Sequence, residues 1–170
     1  GQTDEAIKEL KLALTLKPDL AEAHYNLGTV YEKQGQTDEA IKELKLALTF
    51  KSDYAEEAYN NLGISYYKLG RIEEAINEYL KAIGQKKDFA LAYRNLGLAY
   101  AEQGRLDEAM DMYLTSIKYN HSDAIAHYNL SAIYNRKGLN DRAIEELEIV
   151  LRLKPDYLPA RQALESLLKK

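Results

Sequence analysis

The chain contains no cysteine, which excludes disulfides, thiolate metal sites and cysteine nucleophiles together. No apolar run approaches the ~20 residues that a membrane-spanning helix needs, so membrane insertion is not expected. Basic residues are not in excess, since the net charge is −4. We therefore expect no basic face that binds phosphate backbones, and no nucleic-acid partner. No signal peptide is visible. The compartment stays open, with a soluble, cytoplasmic chain favoured and the true N-terminus expected to lie outside this sequence.

The motifs of catalysis are also missing. The three histidines are His24, His121 and His127, and none has a carboxylate at metal-ligand spacing. The sequence has no phosphate-cradling glycine loop, nucleophile elbow, calcium loop or HExxH helix. We therefore expect no enzymatic activity, no metal and no cofactor.

The sequence does contain an internal repeat. The stretch GQTDEAIKELKLAL begins at Gly1 and again at Gly35. A second signature recurs at offsets of 35, 34 and 34 residues. Its four copies are LGTVY at Leu27–Tyr31, LGISY at Leu62–Tyr66, LGLAY at Leu96–Tyr100 and LSAIY at Leu130–Tyr134. A fixed period of this length predicts an array in which each unit packs on its neighbours.

Each unit is predicted to contain two helices. His24, Leu27 and Tyr31 form one apolar stripe at helical spacing, and Gly35 follows as a C′ residue for which a positive φ costs little. A second stripe includes Ala40 and Leu44. Aspartates precede the first helix of several units and are predicted N-caps; these are Asp19, Asp53, Asp88 and Asp156.

The units resemble tetratricopeptide repeats, a 34-residue helix–turn–helix family. Its landmark positions fall at Tyr59, Leu62–Gly63, Tyr66, Ala75, Tyr79 and Ala82 and their equivalents. Departures include His24 and His127 at the first aromatic position and Ser131 at the glycine position. The resemblance implies an all-α fold, a right-handed superhelical α-solenoid like the arrays of prokaryotic members or of O-linked N-acetylglucosamine transferases.

The repeat period divides residues 1–170 of this single array into units. Residues 1–20 are the second helix of a truncated repeat, four full repeats cover 21–55, 56–89, 90–123 and 124–157, and residues 158–170 form a closing helix. We expect a piece of a longer array, with a designed consensus array as the alternative. The gap from Asp53 to Gly63 is ten residues, against nine from Asp19 to Gly28. This extra residue predicts an early helix start or a wider turn.

A second stripe on the first helices is left over after packing. By family resemblance it lines the concave groove, and we call it the asparagine stripe. It consists of Glu22, Tyr25, Asn26, Thr29; Glu57, Asn60, Asn61, Ile64; Leu91, Arg94, Asn95, Leu98; and Ile125, Tyr128, Asn129, Ala132.

An asparagine stands two residues before every LG or LS signature glycine or serine, at Asn26, Asn61, Asn95 and Asn129. Asparagine is a middling helix former with no local reason to recur in mid-helix. Its amide both donates and accepts hydrogen bonds, so a row of amides can hold the backbone of an extended peptide. The alternative is that asparagine is common at this position throughout the family for a structural reason, such as a bond to a neighbouring helix or to water. The chaperone-type carboxylate clamp is not matched, because its lysine slots carry Tyr25 and Leu91 and its arginine slot carries Asn95.

Three functions follow as hypotheses. The first is a scaffold that binds an extended peptide or a partner's helix through Asn26, Asn61, Asn95 and Asn129, with Tyr25, Asn60, Arg94, Tyr128, Glu22 and Glu57 beside them. The second is a self-assembling homo-oligomer, because the apolar residues Ile7, Leu10 and Leu14 of the first half-repeat lack a partner helix. The third is the targeting arm of a larger enzyme such as a glycosyltransferase.

Overall fold

A computed structural model describes residues 2–169, which form ten α-helices and no strands. None of the helices within this range is long and apolar enough to cross a membrane. The helices are α1 Gln2–Leu16, α2 Ala21–Lys33, α3 Thr37–Thr49, α4 Ala55–Lys68, α5 Ile72–Gln85, α6 Ala90–Glu102, α7 Leu106–Tyr119, α8 Ala124–Arg136, α9 Asn140–Leu153 and α10 Leu158–Leu168.

The helices fall into two compact units, the first ending at Lys87 and the second beginning at Asp88. In the first unit, α2 pairs with α3 and α4 pairs with α5, while α1 packs on α2 and α3 packs on α4. In the second unit, α6 pairs with α7 and α8 with α9, α7 packs on α8, and α10 closes on α9. We call α2, α4, α6 and α8 the first helices of their repeats, and α3, α5, α7 and α9 the second helices. Within each of the two units, each helix thus contacts mainly its neighbours in the sequence, as the repeat predicts.

Glycine ends every first helix, as the sequence predicts. Gly35, Gly70, Gly104 and Gly138 have φ between 73° and 75°, a region that costs glycine little. At the first of these turns, the Gln36 N–H donates to the Tyr31 carbonyl at 2.9 Å and the Gly35 N–H donates to the Glu32 carbonyl at 3.1 Å. This is the Schellman arrangement, which satisfies carbonyls that the helix end leaves unpaired.

A second set of glycines lets the two helices of a repeat approach. A β-carbon added to Gly63 would lie 2.4 Å from Tyr79 Cε1, and one added to Gly97 would lie 2.9 Å from the same atom of Tyr113. Both rings are almost fully buried, and burial raises the pKa of the Tyr79 phenol well above its ordinary value. Each buried large side chain contributes about 1.5–3 kcal/mol, so these ring-on-glycine contacts hold the hairpins together.

The predicted N-caps are wrong. The caps of α2, α4, α6 and α10 lie one residue later than the aspartates, at Leu20, Tyr54, Phe89 and Tyr157, and none makes a side-chain capping bond. Among α2–α10 only α8 has a side-chain cap, where Asp123 Oδ1 accepts from the N–H groups of Ile125 at 3.0 Å and Ala126 at 3.2 Å. At Tyr54 and Tyr157 the cap residue packs on a ring of the preceding first helix. Packing between repeats therefore outweighs the roughly 1 kcal/mol that a polar cap offers.

The extra residue of the second repeat produces both predicted effects. Helix α4 begins eight residues before Gly63, whereas α2 begins seven before Gly28. The junction before α4 spans residues 50–54, one more than the 17–20 junction before α2. Here Lys51 has φ 57°, and the Ser52 N–H donates to the Ala47 carbonyl at 3.1 Å. A lysine thus occupies a C′ position of the kind that glycine occupies elsewhere.

The two buried histidines are packing residues, as predicted. His24 Nδ1 lies 2.6 Å from Glu43 Oε2, and its Nε2 lies 2.9 Å from the Pro18 carbonyl oxygen. The His127 ring repeats this geometry with Glu146 at 2.5 Å and the His121 carbonyl at 3.2 Å. Hydrogen bonding to Glu146 raises the pKa of His127. Each imidazole ties the two helices of its repeat to the junction that precedes them.

Candidate functional site

The four recurring asparagines all reach solvent. Asn26 is exposed, and Asn61, Asn95 and Asn129 are half-buried. They lie on the first helices, each two residues before Gly28, Gly63, Gly97 or Ser131. The side of the helix that carries these four residues faces the second helix of the same repeat. None of the four is fully buried, so each side chain has part of its surface in solvent.

In the first unit, the stripe carries an aromatic pair with an acid beside it. The rings of Tyr25 and Tyr54 stack with centroids 5.2 Å apart and an interplanar angle of 16°. Burial of the ring raises the pKa of the Tyr25 phenol, and the Glu57 carboxylate acts in the same direction. Hydrogen bonds from Thr29 and Asn61 oppose this shift. The phenol therefore links α2 to α4 through Asn61.

Glu57 is the less satisfied member of this group. Its side chain is half-buried, and its Oε2 is enclosed without a hydrogen-bond partner among residues 2–169. A buried carboxylate oxygen without a donor is costly. Glu22, at the equivalent position of α2, is exposed. This part of the stripe therefore carries two carboxylates, one exposed and one half-buried.

Arg94, which the sequence places on the stripe as a cation, is engaged within the protein. Its Nη1 donates to Asp123 Oδ2 at 2.8 Å and to Oδ1 at 3.1 Å, and the two side chains are only 21% and 9% exposed. Because Asp123 also caps α8, Arg94 joins α6 to the start of the next first helix. Tyr128 makes the corresponding contact in the next repeat, where its ring meets Tyr157 edge-on at 5.4 Å.

Asn60 does not belong on an accessible surface. It occupies the position of Tyr25, Arg94 and Tyr128, but only 1% of it is exposed. A side chain this buried cannot contact a ligand without opening the fold, so its assignment to the ligand-binding set is corrected. Tyr25, Arg94 and Tyr128 are half-buried at this position, and Asn60 is the fully buried member of the set.

A cavity of about 210 Å³ lies in the second unit among α8, α9 and α10. The stripe residues Tyr128 and Ala132 form part of its lining, together with Leu147 of α9 and Ala163, Ser166 and Leu167 of α10. It is partly open rather than enclosed, and most of its lining is apolar.

Family models cover almost the whole chain. The model described as "TPR repeat" matches residues 1–35, 33–70, 65–104 and 98–138. The model described as "Tetratricopeptide repeat" matches residues 124–157. The chain belongs to the tetratricopeptide repeat family. Its fold is an all-α array of these repeats, as the resemblance implied.

Solved structures of tetratricopeptide repeat proteins are similar over most of their length. A structure of MamA has a TM-score of 0.81 and 28% identity, covering 94% of this chain and 92% of that one. YrrB, described as "a TPR protein with an unusual peptide-binding site", has a TM-score of 0.77 and 25% identity, covering 96% and 84%. A thermophilic protein of Thermus thermophilus, TTC0263, has a TM-score of 0.78 and 23% identity, covering 100% and 92%. The comparison with curated protein sequences found no match.

Three stripe residues have partners within the protein that the sequence analysis did not identify. Tyr25 meets Tyr54, Arg94 meets Asp123 and Tyr128 meets Tyr157, each 29 residues further along. The partners are the N-cap residues of α4, α8 and α10. Sequence reasoning missed these partners, although the constant spacing of 29 was a signal that could have identified them.

Proposed function

We propose that this tetratricopeptide repeat chain is a non-catalytic scaffold that binds an extended peptide along the asparagine stripe. The observation that carries the proposal is the solvent access of Asn26, Asn61, Asn95 and Asn129. Asn61 also bonds the Tyr25 phenol, but each of the four side chains keeps part of its surface in solvent. An accessible amide that both donates and accepts can pair with a peptide N–H and carbonyl regardless of the peptide's side chains.

The description of YrrB supports the same class of function. That protein, 25% identical over 96% of this chain, is described as having a peptide-binding site. Extended peptides bind by main-chain hydrogen bonds supplemented by pockets for individual side chains. The stripe offers amides for the first kind of contact, and in the first and last full repeats a tyrosine, Tyr25 or Tyr128, directly precedes the asparagine.

The first unit adds a charge preference. Glu22 and Glu57 lie on this part of the stripe, and Arg94, the cation among the stripe residues, is paired with Asp123. A ligand that brings a lysine or arginine here would meet the opposite charge of the exposed Glu22. Acidic peptide tails would meet like charge instead, which disfavours them.

The test uses a displayed library of random peptides, each about 12 residues long to match an extended segment, selected against the wild-type chain. One synthetic selected peptide is then titrated. The variants Asn26→Ala, in the first unit, and Asn129→Ala, in the second, are titrated separately, and each removes one asparagine side chain that reaches solvent. An amide both donates and accepts, and each hydrogen bond contributes about 0.5–1.5 kcal/mol, so at least one variant should raise the dissociation constant about tenfold.

Asn77→Ala is the matched control, because Asn77 is an exposed asparagine on the second helix α5 and lies off the stripe. It should leave the affinity unchanged, and the unfolding midpoints of all three variants should stay close to the wild type. Equal affinity of the wild type, Asn26→Ala and Asn129→Ala for the selected peptide would refute the role of the asparagines. A library that yields no binding peptide would refute the function itself.

Self-association is a second candidate, which one observation favours. Ile7, Leu10 and Leu14 are half-buried against the cluster around Leu27, but Leu12 and Leu16, on another side of α1, are 58% and 83% exposed. Apolar residues four apart form one exposed patch on a helix. Light scattering across a wide range of protein concentration tests this candidate, with Leu12→Lys/Leu16→Lys as the disrupting variant. A constant monomer mass at all concentrations would exclude it.

A further inference from the structure

The cavity of the second unit has an identifiable physical origin. In the second and third repeats, the position on the second helix that faces the first helix carries a tyrosine, and the rings of Tyr79 and Tyr113 cover Gly63 and Gly97. In the first repeat it is Leu44, which lies against Gly28. In the last repeat the equivalent residue is Leu147, which is shorter by most of a ring. Helix α10 then places Ala163 and Ser166 opposite α8. Small side chains on both sides leave the space unfilled.

The cavity is suited to an apolar group with a polar edge. Leu147 and Leu167 are buried and line it, whereas Asn135 and Ser166 are exposed and lie at its rim. Ser131 also lines the space, and its hydroxyl donates to the Tyr128 carbonyl at 2.6 Å. The rim can therefore hydrogen-bond a backbone while the floor takes a hydrocarbon.

We propose that this cavity is a specificity pocket that receives one phenylalanine-sized side chain of the bound peptide. The proposal rests on the proposed function and deepens it, because Tyr128 and Ala132 belong both to the asparagine stripe and to the cavity lining. A peptide lying along the stripe on α8 would pass the opening. It would project one side chain inward and leave its backbone at Asn129.

The volume selects this occupant. A dry apolar cavity of about 150 Å³ binds benzene, and the cavity here is about 210 Å³, so a benzene-sized ring fits with its connecting methylene. A methyl group would leave most of the space empty, with few dispersion contacts. A lysine or arginine side chain would have to bury its charge among leucines, which is unfavourable.

The first experiment titrates the wild-type chain with toluene, which stands for a phenylalanine side chain, and with n-butylammonium, which stands for lysine. Methyl resonances of Leu147, Leu167 and Ala163 report on the cavity. Toluene should shift these resonances saturably at millimolar concentration, and n-butylammonium should not. Absence of saturable shifts with toluene would overturn the inference, whatever the peptide library shows.

The blocking variant is Ser166→Leu. Ser166 is exposed on α10, and leucine is a good helix former, so the chain should fold while the larger side chain covers or fills the cavity. Gln162→Leu is the control, since Gln162 is exposed on the same helix and does not line the cavity. We expect toluene affinity to fall at least tenfold in the first variant and to stay unchanged in the second. A repeat with Ala132→Leu blocks the cavity from α8 and guards against an effect peculiar to one substitution.

The second experiment separates this inference from the proposed function. The same random peptide library is selected in parallel against the wild type, Ser166→Leu and Gln162→Leu. Enrichment of phenylalanine, or of a similarly bulky apolar residue, at one peptide position in the wild type and control, and its loss in the blocked variant, would support the pocket. Peptides that bind without such a preference, or with the same preference in the blocked variant, would overturn the pocket and leave the scaffold function standing.

Discussion

Replacing Gly63 by alanine should destabilise the protein, although alanine is the better helix former. The added β-carbon would lie 2.4, 2.6 and 2.9 Å from three ring atoms of Tyr79, where ordinary contacts begin at 3.4 Å. The ring must therefore retreat by about 1 Å. It is 2% exposed and flanked on its own helix by the fully buried Ala75 and Ala82, so the retreat separates α4 from α5.

The magnitude follows from two opposing effects. Overpacking of a filled core costs about 1–3 kcal/mol and occasionally more, and the alanine returns up to about 1 kcal/mol of helix propensity. We expect a net loss of about 1–2 kcal/mol, measured as the free energy of unfolding in urea and followed by circular dichroism. Gly84→Ala on α5 is the matched control, because its added β-carbon would meet nothing within 4 Å, and it should not destabilise the protein.

A double-mutant cycle sharpens the test. Ser131 faces Leu147 in the last repeat, so a side chain at the glycine position is compatible with leucine opposite. Tyr79→Leu should therefore relieve Gly63→Ala, with a coupling energy of at least about 1 kcal/mol, as is typical of residues in contact. Additive losses in the double variant, or a Gly63→Ala variant as stable as the wild type, would refute the reasoning that ring contact sets the helix spacing.

The remaining predictions concern the helix ends and the buried histidine. Lys51→Gly should raise the free energy of unfolding by about 0.5–1 kcal/mol, because it removes a positive-φ penalty of about 1–2 kcal/mol. The greater conformational entropy of glycine in the unfolded chain offsets part of this gain. An unchanged urea midpoint would contradict this prediction. Asp123→Ala should lower the free energy of unfolding by about 2–3 kcal/mol, since it removes both the cap of α8 and the partner of Arg94. Asp123→Asn keeps the cap and should lower it less in the same assay. The raised pKa of His127 means that its pairing with Glu146 stabilises the fold fully below the unfolded pKa of about 6.5 and loses this contribution as pH rises through the higher folded value. Urea midpoints from about pH 6 to about pH 9 should therefore fall less in Glu146→Gln than in the wild type, and equal slopes would contradict the assignment.

The fold was predictable where one residue type satisfies a local backbone demand. Glycine is the one amino acid that accommodates the positive φ at Gly35 and the close helix approach at Gly63 without strain. A glycine at these positions therefore predicts the backbone geometry. The extra residue before Gly63 was likewise visible as a count, and its outcome followed from helix length alone. These features depend on neighbours within a few residues or one repeat.

The helix starts were not predictable in the same way. A polar side chain at Asp53 is worth about 1 kcal/mol as a cap, but the ring of the next residue, Tyr54, gains a stacking contact with Tyr25 in addition to buried area. Whether the cap or the ring contact contributes more depends on the distance between successive first helices. The sequence of one repeat alone does not give this distance. Asp123 caps α8 because at that junction the cap and the partner of Arg94 are the same residue.

The candidate site was predictable as a face and not as individual contacts. Helical spacing placed Asn26, Asn61, Asn95 and Asn129 on one side of their helices, and all four do reach solvent. The burial of Asn60 and the cavity beside Leu147 depend on the volumes of side chains from other helices. Such differences in volume leave no periodic pattern in the sequence.

The asparagines, rather than the tyrosines, are the informative positions for a binding test, because a tyrosine of the stripe also packs against the next repeat. Tyr25 lies on the asparagine stripe, yet its ring also stacks on Tyr54 and its phenol bonds Asn61. Removing it would loosen the contact between α2 and α4 and weaken any ligand at once, so a loss of affinity would have two causes. Asn26 is exposed on the same helix, and its removal should change affinity with little change in the unfolding midpoint. Only substitutions of this second kind separate binding from the packing that holds one repeat against the next.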